Sequence, residues 1–215
     1  MTDQQLTWII FLLDRSGSMQ SIKPDIEGGF TAFVDEQRKA AGRCAVTLGQ
    51  FDNEYEVVYQ DLPLADVPPL VLHPRGGTAL LDAVGRIITD TGTRLAALPE
   101  DRRPGSVVVA IMTDGLENAS REWTHPAIKS LIDQQTTTYD WQFLFMGADQ
   151  DAIEVGASMG ISADHSVTYT RENASNVMAS AAANVATYRS MRARHGQAAM
   201  PSFTDEQRGQ AAGQS

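Results

Sequence analysis

Short apolar runs alternate with amphipathic stretches along most of the chain. The runs at residues 7–13, 45–51, 106–112 and 139–146 are rich in Ile, Val and Phe and are bounded by Gly, Asp or Pro. Runs of that length and composition predict strands covered on both faces. Residues 54–60 follow the second run after only Asp52 and Asn53. So short a connection makes a hairpin, which puts this strand antiparallel to its neighbour and at a sheet edge. Residues 166–170 predict a weaker sixth strand. Between the strands, apolar residues recur every three or four positions. Ile22, Ile26, Phe30 and Phe33/Val34 mark a helix that Gly42 stops. Leu80, Val84, Ile87/Ile88 and Leu95 mark a second, and Ile128, Leu131 and Ile132 a third after Pro126. Residues 152–159 predict a short helix, and Val177, Ala181, Val185 and Tyr188 a long one over about residues 172–194.

Strands alternating with helices imply right-handed crossovers, and hence an α/β fold with a doubly wound, mostly parallel sheet and helices on both faces. After His195 the composition turns to Gly, Gln, Ala and Ser with one Pro-Ser-Phe island. The expected domain is therefore residues 1–195, with 196–215 a flexible tail that has no core of its own.

Composition narrows the function classes. A chain of 215 residues with 42% hydrophobic and 20% charged residues is ordinary for one globular unit. A net charge of −10 argues against nonspecific nucleic-acid binding and against an anionic membrane surface. The single cysteine, Cys44, excludes an intrachain disulfide and reads as a small buried hydrophobe. The first apolar run is too short to span a bilayer, and no basic cluster leads into it. The expected location is cytoplasmic.

Three separated stretches carry candidate chemistry: Asp14, Ser16 and Ser18 in FLLDRSGSM, Thr78 in RGGTALLDA, and Asp114 in VVVAIMTDGLEN. The first and third are apolar runs ending in a carboxylate and followed by turn residues. In an open doubly wound sheet, ligands bind beyond the carboxyl ends of the strands where the strand order reverses. Two carboxylates and three hydroxyls gathered there suit a hard cation such as Mg²⁺, which takes oxygen ligands at about 2.0–2.1 Å in near-octahedral array. One position is left open for an oxygen from a partner.

DRSGSM is similar to the D-x-S-x-S motif of von Willebrand factor A domains. With the Thr of GGT and the Asp of TDG, it resembles their metal-ion-dependent adhesion site (MIDAS), over roughly residues 5–170 and at most to 194. The resemblance is to the intracellular bacterial type. It implies a Rossmann-like sheet of six strands, five parallel and one a short antiparallel edge. It also implies direct metal contact by Ser16 and Ser18, contact through water by Asp14, and a direct or water-mediated role for Thr78 and Asp114. The missing ligand would be a Glu or Asp side chain of a partner protein. Mg²⁺ is the implied cation, with Mn²⁺ or Ca²⁺ as alternates. Candidate partners are AAA+ ATPases of the MoxR or chelatase kind and components of stress-response or phage-defence systems.

Each motif alone has a plainer reading, because Asp and Ser before a helix are capping residues and TDG is a common turn. The conjunction of all three, in order and on the right elements, carries the inference. Asp82 and Glu117 read as capping or outer acids, Arg75 as a residue that fixes its own loop, and Trp8, Trp123 and Trp141 as core. The four histidines show no metal-ligand spacing. The competing class is a Mg²⁺-dependent hydrolase or phosphotransferase. Dehalogenase-type chemistry needs a second Asp two residues after the first, where this chain has Ser16; no P-loop or dinucleotide fingerprint is present. A binding module rather than an enzyme is the expected function.

Overall fold

The alternation of β1 (Asp3–Asp14) sets the two cores. Ile9, Phe11 and Leu13 enter one hydrophobic layer, while Trp8, Ile10 and Leu12 enter the layer on the opposite face. Successive side chains of a strand point to opposite faces, so a continuous apolar run requires cover on both. The computed structural model describes residues 2–148 and 150–214. Among these, β1, β2 (Arg43–Phe51), β3 (Tyr55–Pro63), β4 (Pro104–Thr113), β5 (Gln142–Ala148) and β6 (Ser166–Tyr169) form one sheet in the order β3-β2-β1-β4-β5-β6. All neighbours pair in parallel except β2 with β3, whose hairpin turns at Phe51 and Tyr55. This is the mostly parallel, doubly wound architecture with one antiparallel edge that the patterning implies.

The first layer is covered by α1 (Lys23–Lys39) and α5 (Ala174–His195), the second by α2 (Leu80–Ala97), α3 (His125–Tyr139) and the short α4 (Ala152–Ser158). Phe11 packs edge-on against Phe30 and Phe33 of α1, with ring centroids 5.2 and 5.3 Å apart. Each such fully buried apolar side chain contributes on the order of 1.5–3 kcal/mol. Cys44 is buried, and burial pushes its thiol pKa up to about 11, so it behaves as an inert apolar residue. Trp8 and Trp141 are buried, and Trp123 packs against the second layer. No helix among the described residues is long and apolar enough to cross a membrane.

Two expectations need correction. The fifth strand begins at Gln142 rather than Tyr139. Tyr139 closes α3, and Asp140 takes the left-handed φ of 56° that ends the helix. The larger correction concerns the segment after His195, which is not a tail without a core. Met200, Phe203 and Ala211 are buried in the first layer, and residues Asp205–Ala211 form a sixth helix, α6. Thr204 caps that helix and Gln207 returns the bond to the Thr204 N–H, a complete capping box. Arg208 donates to the carbonyls of Ser166 and Ala163, and the Thr170 N–H donates to the Ala211 carbonyl. Three well-placed apolar side chains outweigh the polar composition around them. The folded unit runs to residue 214, and Ser215 lies outside the described residues.

Truncation after Gly196 is therefore expected to lower the melting temperature sharply. Phe203→Ala alone costs about 3 kcal/mol, or roughly 6–12 °C for a chain of this size. Thermal unfolding followed by circular dichroism checks this; a truncated chain that melts with the full-length protein places the segment outside the cooperative unit.

Candidate metal centre

β1 and β4 are adjacent, and their carboxyl ends lie level, with Leu13 opposite Met112. From that point the chain leaves β1 toward β2 on one side and β4 toward β5 on the other. The crevice between these departures is the switch point of the sheet. Asp14 ends β1, and Asp114 immediately follows β4.

Asp14 is fully buried. Its Oδ1 accepts the Ser16 N–H at 2.6 Å, and its Oδ2 accepts the Thr113 hydroxyl at 2.6 Å. Burial drives its pKa up to about 6 from an ordinary 3.8, and the nearby charge of Asp114 adds to the rise. The hydrogen bonds from Thr113 and Ser16 only partly offset that rise. The bond to the Ser16 N–H turns the chain into a short 3-10 helix at Gly17–Ser21 that leads into α1. This turn sets the Ser16 and Ser18 hydroxyls 3.0 Å apart, and Ser18 donates to Asp114 Oδ1 at 2.6 Å.

Thr78 comes from the loop before α2. Its N–H donates to the Asn118 side-chain oxygen at 2.9 Å, and its carbonyl accepts the N–H groups of Asn118 and Ala119. The same loop is stitched to the first motif: Gly17 N–H donates to the Gly76 carbonyl and Arg75 N–H to the Arg15 carbonyl. Gly76 supplies the left-handed φ of 69° that this close approach requires. The space these loops share lies beside Gly115. A side-chain carbon on Gly115 would stand 3.1 Å from Thr78 Oγ1, 3.6 Å from Ser18 Oγ and 4.0 Å from Ser16 Oγ. Glycine after Asp114 keeps that space clear of side-chain atoms.

The structure thus gathers Ser16, Ser18, Thr78 and Asp114 around one small volume, with Asp14 directly behind Ser16. All of the gathered donors are oxygens, as a hard divalent cation requires. Among the described residues no three His, Cys, Asp or Glu side chains cluster as metal ligands. The oxygens that converge here are mostly hydroxyls.

Neighbouring charges fix the loops. Glu117 accepts N–H groups from Leu81, Ala119 and Ser120, and Asp82 accepts those of Arg121, Glu122 and Trp123. Both acids therefore serve as caps and loop clasps. Burial alone would raise the pKa of Asp82, but these three N–H bonds hold it below the ordinary value. Arg75 likewise anchors its loop, reaching Asp52 at 2.7 Å. Sequence reasoning missed the buried Arg15, which pairs with the same Asp52 oxygen at 2.9 Å. It also missed Thr113 and Asn118, which orient the candidate residues Asp14 and Thr78, and Arg171, whose Nη2 lies 3.5 Å from Asp114 Oδ2. Thr113 could have been suspected from its place before Asp114. Arg171, 57 residues along the chain from Asp114, carries no local signal.

No family model matches the chain, and no curated protein matches it. Solved structures do. Proximal thread matrix protein 1 from the mussel byssus, in a form whose MIDAS motif is occupied by zinc, aligns with a TM-score of 0.57 at 17% identity, over 84% of this chain and 46% of that one. The ArnB paralog VWA2 from Sulfolobus acidocaldarius gives 0.55 at 15% identity, over 82% and 44%. A von Willebrand factor type A protein from Catenulispora acidiphila gives 0.50 at 16% identity, over 82% and 42%. This chain spans less than half the length of each. The likeness is one of fold: the chain has the von Willebrand factor A fold.

The raised pKa of Asp14 has a measurable consequence for stability. A carboxyl with a folded pKa above its unfolded value stabilises the fold fully below about pH 4, and that contribution is lost as pH rises through about 6. Asp14→Asn keeps the acceptor for Ser16, and the Thr113 hydroxyl can turn to the Gly115 carbonyl, 3.1 Å away. In EDTA at pH 7.5 this variant is expected to be more stable than the wild type by about 1–3 kcal/mol. It should also show a flatter stability profile between pH 4 and 6, read by urea unfolding across that range. Equal stability at pH 7.5 would contradict the assignment.

Proposed function

We propose that this protein is a non-enzymatic binding module that captures an acidic side chain of a partner protein through a divalent cation. The cation is held by Asp14, Ser16, Ser18, Thr78 and Asp114. The observation that carries this reading is the convergence of the Thr78, Ser18 and Ser16 hydroxyls on the space beside Gly115, with Ser18 bonded to Asp114. Hydroxyl ligands leave a bound cation with most of its charge, so it attracts a further anionic oxygen. A Glu or Asp carboxylate from a partner supplies one. Bound there, the cation would act as the electrostatic bridge between the two proteins.

Mg²⁺ is the cation this oxygen set favours, with Mn²⁺ and Ca²⁺ as alternates. The zinc-occupied MIDAS motif of the byssus protein supports a divalent metal on this fold. By the sequence resemblance, the proposal extends to a cytoplasmic setting. It also extends to partners among AAA+ ATPases of the MoxR or chelatase kind, or among stress or phage-defence components.

Isothermal titration with Mg²⁺ and Mn²⁺ tests the reading directly. Ser18→Ala and Thr78→Ala are each expected to weaken cation binding by about tenfold or more; Thr78 is buried and Ser18 half-buried, so a modest fall in melting temperature accompanies the loss while the fold is kept, as circular dichroism would show. Gly115→Ala keeps all five side chains but puts a methyl among the hydroxyls, and is expected to abolish binding. In pull-downs, the same variants and EDTA should release the same partner. Unchanged Mg²⁺ affinity in Gly115→Ala would sink the proposed location.

A further inference from the structure

Ser16 and Ser18 follow β1 directly and Asp114 follows β4, so two adjacent strands place them. Thr78 has no strand behind it and stands in the loop before α2. Its position is set by two asparagine side chains on successive peptide N–H groups. Gly77 N–H donates to Asn53 Oδ1 at 2.8 Å, and Thr78 N–H donates to Asn118 Oδ1 at 2.9 Å. Asn118 comes from the loop after β4, and Asn53 from the turn between β2 and β3. The fit is close on both sides. A side-chain carbon on Gly77 would stand 2.8 Å from Asn118 Oδ1 and 3.2 Å from Asn53 Nδ2, and one on Gly76 would collide with Asn53 Oδ1.

The turn that carries Asn53 is itself fixed to the first motif. Arg15 N–H donates to the Phe51 carbonyl at 2.7 Å, and the Arg15 guanidinium reaches Asp52 Oδ2 at 2.9 Å. Asp52 Oδ1 accepts the Glu54 N–H at 2.7 Å, and the Asp52 carbonyl accepts the Ala79 N–H at 2.9 Å. The hairpin turn therefore grips the chain immediately before and immediately after Thr78. On its other side it holds Arg15, the residue next to Ser16. Asp52 and Thr78 are buried, whereas Asn53 is exposed, so its amide serves this bond rather than core packing.

Resting on the proposed function, we infer that Asn53 is a positioning residue that sets the reach of Thr78 and so makes the site select Mg²⁺ over Ca²⁺. The two cations differ in bond length, about 2.0–2.1 Å for Mg²⁺ against about 2.3–2.6 Å for Ca²⁺, and Ca²⁺ tolerates irregular shells. Drift of one hydroxyl by a few tenths of an ångström therefore costs Mg²⁺ binding and leaves Ca²⁺ binding nearly intact. Release of Gly77 from Asn53 frees the peptide before Thr78 for a movement of that size. The edge hairpin, which supplies no ligand, decides which cation the ligands fit.

The test is calorimetric titration of the full-length protein with Mg²⁺ and with Ca²⁺. Wild type is expected to bind Mg²⁺ more tightly. Asn53→Ala is expected to weaken Mg²⁺ binding about fivefold, the scale of one neutral hydrogen bond, while Ca²⁺ affinity stays within about twofold. Asn53→Asp keeps the acceptor oxygen and should keep the wild-type ratio of the two affinities. In a Thr78→Ala background, Asn53→Ala should change neither affinity further, because the hydroxyl it positions is gone. Equal losses for both cations in Asn53→Ala overturn the inference, because a merely structural asparagine behaves that way. Unchanged Mg²⁺ affinity in Asn53→Ala, an altered ratio in Asn53→Asp, additive losses in the double variant, or a wild type that prefers Ca²⁺ each overturn it too. All of these leave the cation reading intact. Wild-type protein that binds neither cation overturns both.

Discussion

The buried carboxylate of Asp14 is the constraint around which the upper end of the sheet is organised. A charge at zero exposure is costly unless its oxygens are bonded, and here each has a donor at 2.6 Å. One donor is the Ser16 N–H, which forces the turn that brings Ser16 and Ser18 together. The other is Thr113, which ties β1 to the strand end that delivers Asp114. A single side chain therefore fixes both the path of the first loop and its distance from the second. Its raised pKa is the sign that these bonds do not fully compensate its burial.

The remaining loops are fastened by charges whose role is mechanical. Glu117 and Asp82 each collect three backbone N–H groups, and Asp52 binds Arg15 and Arg75 on the same oxygen. Hydrogen bonds to a charged group contribute roughly 1.5–3 kcal/mol each, enough to hold a loop in one shape. Burial alone would raise the pKa of Asp52, but bonds from Arg75, the Glu54 N–H and Arg15 keep it low and the carboxylate ionised. The hydroxyls near Gly115 are thus presented by braced loops, which fixes their mutual geometry. Most nearby carboxylates are already committed to backbone or arginine.

At the far end of the sequence, the segment carrying Met200, Phe203 and Ala211 closes the first hydrophobic layer against α5 and β6. It also ties down Thr170, and with it the turn that carries Arg171. A segment that reads as polar spacer is part of the scaffold behind the site. The capping box at Thr204 and Gln207 was written plainly in the sequence, as T-D-E-Q. Composition averaged over twenty residues hid it, because the average does not register three isolated apolar residues at the right places.

Local pattern by itself determined the six strands, the antiparallel hairpin edge and the two-sided core, because period and run length respond directly to burial. It also determined that β1 ends in a carboxylate and that another follows β4, and so the candidate oxygens Asp14, Ser16, Ser18, Thr78 and Asp114. Tertiary structure decided that the hydroxyls share one space, since that depends on β1 and β4 being neighbours and on the Gly76 and Asn118 contacts between loops. It alone decided the places of Arg15, Thr113 and Arg171 and the docking of the final segment. Those roles rest on contacts between residues tens of positions apart, and no periodicity in a chain records which distant neighbour a side chain will meet.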